Sequence, residues 1–226
     1  MDMRERARRQ TELAIYQAAI GAPPSKWKAL LRCVTEWGFA YHLLRKWAGF
    51  SDPLPTEDRR VLEQVIFPHY RENSGIRRVL FVGCGLYTEH YGREHFAQHD
   101  FWTLDADVTQ REFGAQQHVV APLEELDSHF PAGFFDLLVC NGVLGWGLDS
   151  AAQCEAAFAQ CHSCLAPGGQ LLLGWDDIPQ RTPVSLAAIA SLQRFKKVRF
   201  QPLGTWRYLT ATPYRHTYDF YQKEPA

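Results

Sequence analysis

The spacing of hydrophobic residues changes near residue 75, and this change divides the chain into a helical first part and a strand-rich second part. Before that point, apolar residues recur every three or four positions in three segments. These segments predict helices over residues 5–20, from Ser25 to about Trp47, and from Thr56 or Glu57 to a turn at residues 73–75. We therefore expect a helical domain over residues 1–74, which we interpret as a lid.

After residue 75, short apolar runs alternate with helical or loop stretches. Continuous apolar runs of this kind are typical of parallel strands that are covered on both faces. The last two runs have no long helix between them, which favours an antiparallel pair closing one edge. The predicted strands are residues 79–82, 101–104, 118–120, 135–140, 170–173, 197–200 and 217–221. Residues 75–226 are thus predicted to form an α/β domain with a mostly parallel central sheet and an antiparallel C-terminal edge.

A glycine turn, Gly83-Cys84-Gly85, directly follows the first predicted strand. Open α/β sheets bind ligands at the carboxyl ends of their strands, and glycine lets a ligand approach bare backbone. Alone, this turn is also compatible with a plain strand–helix connection. A dinucleotide-binding loop would have a third glycine where Thr88 stands.

Two further segments add to the glycine turn. Asp105 closes the second strand, 22 residues after Gly83, where a carboxylate can accept both hydroxyls of a ribose. Asp107 is the second choice, because it lies beyond the strand and is placed to cap the next turn. Leu165–Gly169 ends an amphipathic helix that starts near Ser150 and reverses the chain into the next strand, so we interpret it as scaffold.

In this order and spacing, these segments resemble the class I S-adenosylmethionine-dependent methyltransferases over residues 77 to about 221. The residues that carry the resemblance are Val79–Gly85, Asp105, Phe135–Leu138 and Leu165–Gly169. The resemblance implies a Rossmann-like class I methyltransferase fold and S-adenosyl-L-methionine as the cofactor.

The resemblance also implies which residues bind the cofactor. The glycine turn would line its methionine part, Asp105 would bind the ribose, and Asn141 would face the reacting centre. The candidate cofactor-binding residues are Gly83, Cys84, Gly85, Tyr87, Asp105, Ala106, Leu123, Asn141 and Gly142. The chain departs from the family at Phe81, where an acid is frequent, and at Tyr87, where a glycine is common. It also lacks the usual adenine-binding acid after the third strand, so backbone near Leu123 would serve there.

Aromatic residues near these segments suggest a pocket for the reaction. An aromatic ring favours the positive sulfonium, although core or lid packing accounts for tryptophans equally well. The candidate catalytic residues are Asn141, Tyr87 and Trp175, and the candidate substrate-pocket residues are Tyr16, Tyr91, Trp146 and Trp175.

Neither the histidines nor the cysteines predict a metal site. Cys161-His162-Ser163-Cys164 has the spacing of a zinc-binding pair, but the chain has no second matching pair. His90, His95 and His99 are interpreted by default as surface or capping residues, although His90 or Tyr91 could reach the pocket from the helix after the glycine turn. Arg215 and His216 are weaker candidates for the pocket. We therefore expect no metal.

Composition and charge limit the partners. Hydrophobic residues make up 46% of the 226 residues, as in a globular protein, and the net charge of -1 provides no basic face for nucleic acid. The chain shows no secretory signal and no apolar run of about 20 residues, so we expect a cytoplasmic protein with reduced thiols and no membrane contact. Its expected partner is a small-molecule substrate, and a homodimer is compatible with the sequence.

Three functions are compatible with these features. The first is a methyltransferase acting on a small molecule. The second is a cyclase that converts S-adenosylmethionine into azetidine-2-carboxylate and methylthioadenosine without an acceptor. The third is a non-catalytic protein that binds the cofactor.

Overall fold

The computed structural model of the chain describes residues 56–182 and 184–225. The predicted helices over residues 5–20 and from Ser25 to about Trp47 lie outside the described residues, and so does Tyr16. The interpretation of the N-terminal part as a lid stays a prediction.

Eight strands form one mixed sheet in the order β3-β2-β1-β4-β5-β8-β6, with β7 also paired to β8. Strands β1 to β5 pair in parallel, and β8 runs antiparallel to β5. The strands are β1 (Arg78–Val82), β2 (Asp100–Asp105), β3 (Gln117–Val120), β4 (Phe135–Asn141), β5 (Leu165–Asp176), β6 (Lys196–Lys197), β7 (Arg207–Leu209) and β8 (His216–Gln222). The predicted sheet, mostly parallel with an antiparallel C-terminal edge, is confirmed.

The C-terminal edge differs in detail from the prediction. The strand expected over residues 197–200 covers only Lys196–Lys197. The chain then passes through a 3-10 turn at Gln201–Leu203 and Gly204, whose φ is 68°, and returns as β7. Strands β6 and β7 therefore share the outer edge of β8. Strand β5 also begins earlier than expected, since Leu165 already pairs with Phe135 before a register shift. The predicted turn at 165–169 is thus part of a strand.

A helical segment covers one face of the sheet. It consists of α1 (Glu57–Val61), a π-helical turn (Leu62–Ile66) and α2 (Phe67–Glu72), and it ends at the predicted turn. Apolar side chains of this segment are fully buried in one cluster with Val79, Phe81 and Phe220 of the sheet. The segment assigned to the lid from Glu57 onward thus packs on the α/β domain, and the position of the domain boundary stays a prediction.

The opposite face carries α4 (Ala151–Cys164), which begins where Ser150 accepts a hydrogen bond from the backbone N–H of Gln153. Phe158 and Cys161 of α4 lie in a second buried cluster with Leu138 and Leu171 of the sheet. The segment after β1 contains only a short helix, α3 (Tyr91–Glu94). Within the described part of the chain, no helix has the length and apolar character to cross a membrane.

Candidate functional site

The carboxyl ends of β1, β2 and β4 meet at one edge of the sheet. Strand β1 pairs with β2 on one side and with β4 on the other. Gly83 follows β1, while Asp105 ends β2 and Asn141 ends β4. The strand order reverses between β1 and β4, which is where open α/β sheets form a ligand crevice. The structure therefore brings these three predicted site residues together.

The glycine turn is tied to Asp105 through its backbone. Gly83 has a φ of 88°, which favours glycine, and its N–H donates to the carbonyl of Leu104 at 2.9 Å. The N–H of Cys84 donates to Oδ2 of Asp105 at 2.6 Å, and the N–H of Asp107 donates to Oδ1 at 2.8 Å. Each carboxylate oxygen can accept a further hydrogen bond, so Asp105 fits a role in binding two ribose hydroxyls.

Asp107 has the capping role that the sequence allowed for it. Its Oδ1 accepts a hydrogen bond from the backbone N–H of Thr109 at 2.8 Å, at the start of the 3-10 helix Val108–Phe113. This backbone hydrogen bond lowers the pKa of Asp107. Asp107 is therefore a suitable control for the role of Asp105.

Cys84 places a thiol in the glycine turn. Burial, together with the nearby charge of Asp105, raises the pKa of this thiol to about 12. The thiol thus stays protonated at neutral pH, which suits a lining residue and not a nucleophile.

Asn141 is buried and takes part in a chain of polar groups with His216 and Asp176. Nε2 of His216 lies 3.0 Å from Oδ1 of Asn141, and Nδ1 lies 2.7 Å from Oδ1 of Asp176. The carboxylate of Asp176 accepts, so Nδ1 donates. Nε2 donates to Oδ1 of Asn141 when the imidazole carries both protons, and a neutral imidazole accepts from the amide nitrogen with the amide turned over; either way one polar atom of the amide is left over. Nδ2 of Asn141 has no hydrogen-bond partner among the described residues, although it is buried. Because a buried amide without a partner is costly, this atom suits a ligand group at the sheet edge.

Glycine at position 174 makes room for this arrangement. Gly174 pairs with Asn141 in the sheet, and a Cβ there would lie only 1.8 Å from Oδ1 of Asn141 and 2.9 Å from Nε2 of His216. Sequence reasoning did not find Asp176 and ranked His216 low. The available signal was that both lie at the ends of adjacent strands, but only the register places them opposite each other.

Two of the aromatic candidates contact a buried arginine. The guanidinium of Arg59 lies over the ring of Tyr87, 4.6 Å from its centroid. The hydroxyl of Tyr91 accepts a hydrogen bond from Nη1 of Arg59 at 3.1 Å and donates one to Oε1 of Glu63 at 2.9 Å. Tyr91 is fully buried, and both of its polar contacts are within the protein.

The two tryptophan candidates are not brought to Asn141. The ring of Trp146 is covered by the guanidinium of Arg181, 3.5 Å from its centroid. Trp175 belongs to the buried cluster on the α4 face and donates from Nε1 to Oδ2 of Asp219 at 3.3 Å. It also lines a cavity of about 470 Å³. Adjacent strand residues point to opposite faces, and Gly174 pairs with Asn141, so Trp175 points away from the amide.

The remaining cofactor candidates differ in exposure. Ala106 is exposed beyond β2, whereas the side chain of Leu123 is buried in the core, which leaves only its backbone for adenine. Gly142 has a φ of 75°, and its N–H donates to the carbonyl of Gly174 at 2.9 Å. Phe81, where the family often has an acid, is buried among aromatic rings.

The default interpretation of His90 as a surface residue is wrong, although it stands at the N-cap position of α3. Its side chain is only 3% exposed, because the chain between β1 and β2 folds inward toward Glu63 instead of forming a long surface helix. His95 and His99 are half-buried. Cys161 and Cys164 are buried thiols of α4 that pack against the sheet, as core residues do.

Comparisons with known proteins agree with this geometry. Residues 80–173 match the family model of a methyltransferase domain. No curated protein matches the sequence.

Three similar solved structures, all under 25% identical, show the fold. The N-methyltransferase NodS from Bradyrhizobium japonicum WM9 is 16% identical, covers 76% of this chain and 99% of its own, and has a TM-score of 0.58. A TehB-like methyltransferase from Corynebacterium glutamicum is 17% identical, with coverages of 84% and 99% and a TM-score of 0.54. The 1,6-didemethyltoxoflavin-N1-methyltransferase from Burkholderia thailandensis, solved with its substrate and S-adenosylhomocysteine, is 19% identical, with coverages of 90% and 93% and a TM-score of 0.53.

The family model covers the glycine turn, Asp105 and Asn141, so the residues brought together at the sheet edge lie within the matched region. The resemblance inferred from the sequence is confirmed: residues 80–173 match a methyltransferase-domain model, and the chain has the fold of class I S-adenosylmethionine-dependent methyltransferases.

Proposed function

We propose that this protein binds S-adenosylmethionine at the carboxyl edge of β1, β2 and β4 and transfers its methyl group to a small molecule. The observation that carries the proposal is the convergence of Gly83, Asp105 and Asn141 at the strand-order reversal. The methyltransferase-domain match and the S-adenosylhomocysteine in related structures support the choice of cofactor.

The residues at this edge have distinct parts in the proposal. Asp105 would accept the ribose hydroxyls while it holds the glycine turn through the N–H of Cys84. The partly exposed backbone at Gly83 would lie against the methionine part. Asn141 would orient a polar group of the cofactor or acceptor, with its amide held by His216. The cofactor supplies a methyl group on a positively charged sulfur, and holding the acceptor in line with it accounts for most of the catalysis required.

A small-molecule acceptor is favoured by three observations. Tyr87 occupies the position where a glycine is common, and its ring lies 3.1 Å from where a Cβ of Gly85 would be. The ring therefore reduces the space beside the glycine turn that an acceptor could occupy. The toxoflavin relative is an N-methyltransferase solved with a small heterocycle bound. The net charge of -1 provides no basic face for a nucleic-acid acceptor.

The cofactor site is tested by the binding of S-adenosylhomocysteine. Asp105→Ala should weaken binding by about 1.5–3 kcal/mol, because charged hydrogen bonds to the ribose are lost. Asp105→Asn keeps one acceptor oxygen and should lose less. Calorimetry measures both variants, with Asp107→Ala as the matched control two residues away, and unchanged affinity in Asp105→Ala would move the ribose contact elsewhere.

Product analysis separates methyl transfer from the cyclase. In the cyclase, the amine nitrogen bonds to the γ carbon as the bond from that carbon to sulfur breaks, releasing methylthioadenosine, azetidine-2-carboxylate and one proton. The limited space beside the ring of Tyr87 would also suit a reaction without an acceptor. Mass spectrometry after incubation with S-adenosylmethionine alone should show no methylthioadenosine above a protein-free control. Its enzymatic formation would reject the methyltransferase proposal, while binding without turnover of any acceptor would favour the non-catalytic alternative.

A further inference from the structure

Three side chains of metal-ligating type converge next to the glycine turn, on the face covered by α1. We call Glu63, His90 and His95 the His-Glu cluster. Each of the three offers a ligand atom within 4.8 Å of the other two. Nε2 of His90 lies 3.8 Å from Oε1 of Glu63, a separation that a single ion between them can bridge.

The state of His90 points to a ligand that this cluster would hold. Its side chain is buried, yet Nδ1 has no hydrogen-bond partner among the described residues, and Nε2 is too far from Glu63 for a hydrogen bond. A buried ring nitrogen without a hydrogen-bond partner is costly. Coordination of a metal ion by Nε2 would give the buried ring a partner and offset this cost.

The surroundings of the cluster suit metal binding. The side chain of His90 is buried and that of His95 is half-buried, so little water competes for their ring nitrogens. The hydroxyl of Tyr91 donates to Oε1 of Glu63 at 2.9 Å, as an outer partner of a ligating carboxylate does. Arg59 is hydrogen-bonded to Tyr91 and places a positive charge nearby, but Asp58 lies 3.7 Å from Nε of Arg59 and offsets that charge.

We propose that Glu63, His90 and His95 form a binding site for one divalent transition-metal ion of the zinc type. Two imidazoles and one carboxylate suit zinc or cobalt, whereas magnesium and calcium prefer sites made of oxygen. Three protein ligands leave a fourth position for water or another ligand. The site would join the π-helical turn at Leu62–Ile66 to the segment after the glycine turn.

The proposal goes beyond the proposed function, and its test does not depend on turnover. The full-length protein is stripped with a chelator and titrated with Zn²⁺ by competition against a chromophoric chelator, and with Co²⁺ by visible absorption. We expect one equivalent to bind with a Co²⁺ spectrum typical of four ligands. His95→Ala should weaken Zn²⁺ binding by more than about 100-fold, and Tyr91→Phe by about 10- to 100-fold, because outer partners commonly contribute that much.

Matched controls separate this site from other ligands in the chain. His99→Ala removes a neighbouring half-buried histidine, and Cys84→Ser removes the half-buried thiol of the glycine turn. Both should bind Zn²⁺ like the wild type. Circular dichroism identifies any variant that fails to fold, and Glu63→Gln, which keeps the side-chain shape, then replaces it. The proposal would be overturned if the wild type bound no stoichiometric Zn²⁺, or if His90→Ala and His95→Ala bound Zn²⁺ as tightly as the wild type. S-adenosylhomocysteine binding measured on the same samples tests the proposed function separately.

Discussion

Asn141 shows how the environment of one residue decides its role. Its amide is held on one side by His216, which Asp176 orients in turn, and its other polar atom has no partner among the described residues. An amide fixed in this way is preorganised, because its side-chain conformation is set before the cofactor or acceptor binds. His216 and Asp176 are thus positioning residues in the proposed site.

Removing the imidazole tests this positioning role. His216→Ala leaves the amide of Asn141 and the carboxylate of Asp176 without their shared partner, so we expect S-adenosylmethionine affinity to fall by about 5- to 150-fold, from a cost of about 1–3 kcal/mol. Asp176→Asn keeps an acceptor oxygen for Nδ1 and should retain more affinity than Asp176→Ala. Calorimetry well below the unfolding temperature measures all three, with the exposed His129→Ala as a control. A lower melting temperature with unchanged S-adenosylmethionine affinity would show that His216 contributes to stability and not to cofactor binding.

The thiol of Cys84 should react slowly with alkylating reagents. Its pKa of about 12 results from burial and then from the charge of Asp105, and only the thiolate is nucleophilic. At pH 8 we expect iodoacetamide to modify Cys84 about two to three orders of magnitude more slowly than an exposed cysteine of a peptide. Peptide mass spectrometry follows the reaction at this one cysteine, with unfolded protein as the reference. Rapid modification of the folded protein would contradict the expected protonation state.

At the scale of elements, one ion pair ties the short strand β7 to β8. Nε and Nη2 of Arg207 donate to the two carboxylate oxygens of Asp219, each at 2.6 Å, and Asp219 is fully buried. Bonding to this carboxylate raises the pKa of Arg207. Trp175 and Tyr221 also donate to Asp219, so the pair lies at the centre of the antiparallel edge.

Breaking this pair should cost more than breaking an exposed one. Arg207→Ala leaves a buried carboxylate without its cation, so the free energy of unfolding should fall by about 3 kcal/mol, the lower end for buried pairs because Arg207 is partly exposed. The control is Asp177→Ala, which breaks the exposed pair with Arg215 and should cost less than about 1 kcal/mol. Urea denaturation measures both. Equal costs would mean that β7 contributes little to the stability of the sheet.

At the scale of the whole molecule, the proposed cofactor site belongs to the same folded unit as the sheet. The glycine turn, Asp105 and Asn141 end three adjacent strands, so they exist only when the sheet is assembled. A ligand that binds there must stabilise the folded state over the unfolded chain.

S-adenosylhomocysteine should therefore raise the free energy of unfolding of the domain. At a concentration of about 100 times its Kd, the expected gain is about 2.7 kcal/mol. Asp105→Ala at the same ligand concentration should show a smaller gain, since its affinity is lower. Urea denaturation with and without the ligand measures the difference. A gain in the variant equal to that of the wild type would contradict a ribose contact at Asp105.

Local signals in the sequence were enough to predict the strands and the glycine turn. Apolar runs located β1 to β5 because buried parallel strands need continuous hydrophobic side chains, and Gly83 marked the end of β1 because the turn requires a positive φ there. Strand β7 was not predicted, because its three residues, Arg207-Tyr208-Leu209, carry no clear alternation. The antiparallel C-terminal edge, where β6 and β7 are short and polar, was the least predictable part of the fold.

By itself, the sequence determined the order of the strands along the chain, the resemblance to methyltransferases and the presence of Asp105 and Asn141 at strand ends. Only the tertiary structure decided which groups face each other. His216 meets Asn141 from 75 positions away because β8 inserts antiparallel beside β5. Glu63 meets His90 because the π-helical turn Leu62–Ile66 packs on the sheet face. Such contacts depend on register and packing between distant segments, which no local pattern of residues encodes.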